Sequence, residues 1–460
     1  MNTALGAASG VRSDEAPRPS LVVRNARIIT LDDANRVLDA GAVEIMSDGT
    51  IGAIRAGATH RPASDFLDAG GRLLMPALIN CHTHLYSTLA RGISLPGPAP
   101  KNFPDILKKL WWRLDRALNE DDIYLSAMVG LIDSAKNGVG TLVDHHSSPN
   151  ACAGSLDRIT QAFLDVGLRG VACYETTDRN GQANAQQGID ENIRFLERVE
   201  RGFGDRVVRG SFGLHASFTL SDRTLRRAVE AAEGLHAGFH VHVAEDACDV
   251  ADARKKFRKS PVARLHDLGV LNDKSIAAHC VHVSPADIRQ LAKRKINVVH
   301  NPQSNCNNTV GTANLLEMAK AGVLVGLGSD GYSPRMWEEF KSAFHVQKLR
   351  AGDPRVAYSE AYAAALLNNR KIAHKAWGLE IGAIVPGARA DLLLVDYWPP
   401  TPLTSDNLFG HFLFGIANAP VDTLIVNGKF VVRDKKMQTV DERAVMEKAS
   451  AQARALWRRF

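Results

Sequence analysis

The chain of 460 residues has no uninterrupted apolar run of about 18 residues, the length a membrane-spanning helix requires. It has only six cysteines, Cys81, Cys152, Cys173, Cys248, Cys280 and Cys306, and none forms a C-x-x-C pair. That excludes a disulfide-dense miniprotein and predicts buried, reduced thiols in a cytoplasmic protein. No dense Lys/Arg run with interleaved aromatics accompanies the net charge of +6, so nucleic acid is not an expected partner. The cluster Lys255, Lys256, Arg258 and Lys259 reads as a solvated helix face. Residues 1–20 are rich in Ala, Gly, Ser and Pro without a hydrophobic signal core, which predicts a disordered tail. The remainder is ordinary for a globular protein, with 45% apolar and 23% charged residues.

Both ends read as short strands. Leu21–Val23, Ala26–Thr30, Ala42–Ile45 and Ile51–Ile54 are rich in β-formers, and so are Ala390–Val395, Val421–Val426 and Lys429–Val432. Two β-rich ends around a long middle predict one small β-sandwich domain built from both termini, residues 21–73 with 382–440. Val445, Ala449, Ala453, Leu456 and Phe460 recur at helical spacing, so 441–460 is an amphipathic helix. The middle, 74–381, alternates eight apolar runs with helical patterns. The runs are 77–84, 140–145, 169–176, 208–215, 239–245, 275–280, 297–301 and 325–330. Eight βα units over about 250 residues suit a (β/α)8 TIM barrel. A doubly wound open sheet is the alternative. No G-x-G-x-x-G follows the first strand, and polar residues crowd the strands' C-terminal ends, where barrel enzymes keep their chemistry.

His82 and His84 share a strand face, as do His240 and His242, because side chains alternate along a strand. Glu245 is three residues past His242, so it belongs where the strand ends and the chain turns. His279 closes the sixth run and Asp330 the eighth. An isolated His or Asp in such a place is usually structural. Histidines and carboxylates at four strand ends on one rim point jointly to a metal with a general acid/base beside it.

The order His82-x-His84, His242-x-x-Glu245, His279, Asp330 resembles the amidohydrolase superfamily, in its cytosine deaminase and chlorohydrolase branch. Leu74–Asn80, His300–Asn305 and Ile384–Leu392 carry the same resemblance. Leu110–Leu118, Asp144–Pro149 and Glu175–Asn180 are similar to the SsnA-type aminohydrolases. The resemblance covers residues 21–460. It implies one divalent ion, zinc with iron or manganese as alternatives, held by His82, His84, His242 and Asp330. It also implies catalytic roles. Glu245 moves protons to a ring nitrogen, His279 supports the developing oxyanion, and Asp330 takes the attacking water's proton.

The fourth run carries no lysine that could be carboxylated to bridge two metals, which favours one metal. The H-x-E and P-C-x-x-C zinc motifs of the other deaminase chemistry are absent. His240 reads as a hydrogen-bonded core residue. His145, His146, His282 and His300 are extra histidines near strand ends, with His145 or His300 able to bind substrate.

His215 stands where the family's substrate-contacting histidine lies, and Asn305 and Arg179 are further substrate candidates. For Arg179 a surface salt bridge is the alternative. The long segment Leu85–Asp122 is expected to be a lid, with Trp112 as its substrate contact. In the alternative, Trp111 and Trp112 begin a helix and merely pack it. The expected reaction is hydrolytic release of ammonia from a small amino-substituted nitrogen heterocycle. Displacement of sulfide, chloride or an alkylamine is the rival, and a non-catalytic scaffold the remaining alternative. A homo-oligomer, dimer or higher, is expected.

Overall fold

The computed structural model describes residues 18–57 and 59–460, so the tail expected at the N-terminus falls almost wholly outside the described residues. Five strands open the chain: β1 (Leu21–Ile29), β2 (Val37–Ile45), β3 (Ile51–Ala56), β4 (Asp65–Asp68) and β5 (Leu73–Pro76). Nine short strands follow: β6 (Leu78–Thr83), β7 (Val139–His146), β8 (Arg169–Tyr174), β9 (Val208–Gly210), β10 (Phe212–Ala216), β11 (Phe239–Val243), β12 (Ile276–His279), β13 (Asn297–His300) and β14 (Leu324–Leu327). Four more come from the C-terminal part: β15 (Leu392–Val395), β16 (Val421–Val426), β17 (Lys429–Arg433) and β18 (Lys436–Met437). Glu442–Arg459 form the last helix.

The strands from the two ends are hydrogen-bonded into one nine-stranded sheet, β18-β17-β16-β15-β5-β1-β2-β3, with β4 also paired to β1. The sequence suggests two facing sheets instead. The difference arises at β5, which runs parallel to β1 on one side and antiparallel to β15 on the other, joining the two groups. Its residues Leu74–Pro76 therefore belong to the terminal sheet and not to the middle region.

The middle strands form two parallel sheets, β6-β7-β8-β9 and β10-β11-β12-β13-β14. The fourth apolar run is split at Ser211. Ser211 N donates to Ala172 O on one side at 3.1 Å, and Phe212 N donates to Gly238 O on the other at 3.0 Å. The chain thus changes neighbour within one run. The sheets meet at parallel bridges between Thr176 and Leu214 and between Thr83 and Asp330. Gly328 makes the second approach possible, because a Cβ there would lie 2.8 Å from the backbone nitrogen of His82. Every residue of β6, β7, β8, β10, β11, β12 and β13 is buried, as expected of parallel strands covered on both faces, and Ile79, Val143, Val171, Ile276 and Val299 of the two sheets share one apolar cluster.

Arg169 at the start of β8 pairs bidentately with Asp391 beside β15, at 2.8 and 3.0 Å, with both side chains buried. This ion pair ties the middle strands to the terminal sheet. Removing one partner strands a buried charge, so Arg169→Ala should destabilise the protein by about 3–5 kcal/mol. Urea unfolding measures this, and a loss under about 1 kcal/mol contradicts it. All six cysteines are free thiols; four are buried, Cys248 is half-buried and Cys306 is exposed, contrary to the expectation of uniform burial. Among the described residues no helix is long and apolar enough to cross a membrane.

Candidate metal centre and active site

Strand ends bring the titratable residues together. The Nδ1 atoms of His84 and His242 donate to backbone carbonyls, of His145 at 2.6 Å and of His215 at 2.8 Å. His82 Nδ1 lies 2.8 Å from His240 Nε2. With Nδ1 engaged on each ring, Nε2 is left to face the centre, the orientation that outer partners impose on metal-binding histidines. Asp330 Oδ1 stands 3.0 Å from His84 Nε2 and 3.4 Å from His82 Nε2. His242 Nε2 is 3.3 Å from His84 Nε2. Donor atoms of His82, His242, His279 and Asp330 all lie within 4.8 Å of one another. The Nε2 atoms of His82 and His279 are buried without a hydrogen-bond partner. Buried polar atoms are nearly always paired, so this donor set fits a divalent cation.

The backbone is strained where these residues emerge. Ala244, His279, Cys280 and Asp330 have φ of 48°, 72°, 51° and 56°, a left-handed conformation that is costly for non-glycine residues and gathers at functional sites. Asp330 is fixed by its own N–H, which donates to His82 O at 2.9 Å, and by Ser304 Oγ donating to Oδ2 at 2.5 Å. Burial alone would raise its carboxyl, but contacts with His82 and His84 hold it well below the usual carboxylate range. Burial pushes His242 well below the ordinary imidazole value, which keeps it neutral and able to bind a cation. Glu245 behaves oppositely: burial, and then the charge of Asp330, push it well above the usual range. Its Oε2 is 3.7 Å from His279 Nε2.

An inner chamber of about 50 Å³ adjoins this centre, lined by residues that include His84, Tyr86, Glu175, His215, His242 and Glu245. An outer cavity of about 730 Å³ shares His84, Trp111 and Asp330 with it. The structure thus places His215 on the chamber wall. Arg179 is there too, but in a buried ion pair with Asp115 and Glu175 instead of a surface one.

Two expected substrate contacts stand elsewhere. Asn305 is fully buried, its amide 2.8 Å from His279 Nδ1, so it orients that imidazole from behind. Trp112 lies under the Arg179 guanidinium at 5.1 Å, and Trp111 lines both cavities in its place. The segment expected as a long lid loop is largely helical, with Phe103–Ile106 and Trp112–Ala117 flanking a π-helical stretch, Leu107–Trp111.

Among the extra histidines, His146 and His282 are tied to Ser148 Oγ and Val310 O, each at 2.8 Å, and His300 is fully buried. His145 packs against the rings of His82, His84 and His242. The residue that sequence reasoning missed is Glu175. The available signal was its position one residue beyond β8, at the same rim as the others.

Residues 73–431 match the model of the amidohydrolase family. The chain belongs to that family. It is 32% identical over 446 residues to a 5-methylthioadenosine/S-adenosylhomocysteine deaminase of Desulforudis audaxviator, covering 95% of this chain and 99% of that protein. It is 29% identical over 429 residues to a 5'-deoxyadenosine deaminase of Methanothermobacter thermautotrophicus, covering 91% and 97%. Among solved structures, an adenosine deaminase from Xanthomonas campestris with bound zinc superposes with a TM-score of 0.83 at 23% identity, covering 96% of this chain and 99% of the other. At that identity the likeness speaks for the fold.

Proposed function

We propose that this chain is a metal-dependent hydrolytic deaminase that releases ammonia from an amino-substituted nitrogen heterocycle. The observation that carries this reading is the convergence of His82, His242, His279 and Asp330, with Glu245 3.7 Å from His279 and on one chamber wall with His242 and Asp330. The deaminase names of the relatives support it. In this reading the two parallel sheets are halves of one (β/α)8 barrel, 74–381, and the composite β unit is 21–73 with 382–440. The pairing of β5 with β15 supports a boundary between them near residue 76. Residues 441–460 form a C-terminal helical element.

His82, His84, His242 and Asp330 would hold the ion, one per chain, and zinc is the ion proposed. The chemistry such an ion would supply there is a water acidic enough to ionise near neutral pH. Asp330, ionised, accepts the proton of the attacking water. Glu245 delivers a proton to the ring nitrogen next to the attacked carbon and takes back the remaining hydroxyl proton, while the proton held by Asp330 passes to the amino group, so the C–N bond breaks as ammonia leaves. His279, held by Asn305, supports negative charge on the attacking oxygen.

A good leaving group such as chloride has less need of the Glu245 proton than an amino group does. Sulfide from a thiocarbonyl ring needs it equally and remains the alternative product. The test is a coupled ammonia assay beside a sulfide assay over amino- and thio-heterocycles, with 5'-deoxyadenosine and 5'-methylthioadenosine in the panel. Ammonia release is expected. Sulfide release with no ammonia from any amino compound would move the assignment to sulfide displacement.

A further inference from the structure

The inner chamber holds a carboxylate that deamination leaves unused. Glu175 follows β8, is 3% exposed, and is fixed from several sides. Its N–H donates to His146 O at 2.7 Å, and its Oε1 accepts from Arg179 Nη2 at 2.9 Å. Its Oε2 lies 3.3 Å from His145 Nδ1. Arg179 Nη2 also donates to Asp115 Oδ2 at 3.1 Å, so one guanidinium is shared between two carboxylates and is not free to take a substrate carboxylate.

An ionised carboxylate accepts about four hydrogen bonds. Arg179 supplies one, and His145 approaches as a second. The remaining capacity belongs to a carboxylate on the chamber wall, where it is available to donors on a bound substrate. A carboxylate oxygen of Glu175 also lies within 4.8 Å of ring nitrogens of both His215 and His242. Glu175 lines the same chamber as Glu245 and His242.

We infer that Glu175 is a specificity-determining residue, which accepts hydrogen bonds from N–H or O–H groups on the part of the substrate away from the leaving amino group. Arg179 is its positioning residue. The substrate class is thereby narrowed to amino heterocycles that carry such donors, whether ring N–H or sugar hydroxyls. This inference rests on the deaminase reading above.

The test compares kcat/KM of the metal-loaded parent protein, Glu175→Gln and Glu175→Asp. Each uses a substrate that the parent deaminates and the same compound with its donors deleted. For 5'-deoxyadenosine the counterpart is its 2',3'-dideoxy form, and for a ring N–H compound it is the N-methylated ring. Deleting the donors should cost the parent about 10- to 100-fold, the worth of a hydrogen bond to a charged group, and Glu175→Gln under about 3-fold. Glu175→Asp, which keeps the charge, should recover part of the discrimination and serves as the readout if the amide variant does not fold. Equal donor-deletion factors in parent and variants overturn this inference alone. No ammonia from any amino compound overturns the deaminase reading and this inference with it.

Discussion

Glu245→Gln should fold, keep its metal and lose about 10²- to 10⁴-fold in kcat, the usual contribution of a positioned general acid/base. The amide preserves the shape of a side chain that is half-buried next to His279 but has no acidic proton to pass to a ring nitrogen. Burial and the neighbouring charge of Asp330 push the native carboxyl well above the usual range, the direction that favours a proton donor. Metal content measured with turnover separates this role from a ligand role. Near-normal turnover in Glu245→Gln on a substrate that the parent hydrolyses contradicts the assignment, and loss of the metal would make Glu245 a ligand instead.

His82→Ala should lose the metal itself, and turnover with it. The His82 ring is completely buried, and its Nε2 has no hydrogen-bond partner, so alanine removes one of the nitrogens that face the centre. His240→Ala provides the graded comparison. It leaves every proposed ligand in place but removes the group 2.8 Å from His82 Nδ1, and loss of such an outer partner costs about 10- to 100-fold in metal affinity. Competition with a chromophoric chelator should therefore order the proteins as parent, His240→Ala, then His82→Ala. Parent-like affinity in His82→Ala would exclude it from the ligand set.

Much of the centre is legible in the sequence because strand alternation puts His82 with His84 and His240 with His242 on shared faces. The parallel strands then carry those ends to one rim. What escapes the sequence depends on tertiary packing. Asn305 sits in the same run of residues as a substrate contact would, and only the fold shows that its amide meets His279 from behind. The choice between Trp111 and Trp112 turns on helix phase. The π-helical stretch Leu107–Trp111 widens the turn, so a regular helical period cannot tell which indole reaches the cavities. The burial of the Glu175 and Arg179 pair beside Asp115 is set by a segment about sixty residues away in sequence. The single terminal sheet likewise depends on β5 pairing at once with β1 and β15, which no local pattern encodes.

The most direct measurement is ammonia release as zinc is titrated back into chelator-treated protein, on an amino heterocycle that the untreated protein deaminates. Activity should be absent without metal, rise in proportion to added zinc and level off at one ion per chain. Ammonia release that survives complete removal of metal, or a plateau reached only at two ions per chain, would contradict a mononuclear metal-dependent deaminase.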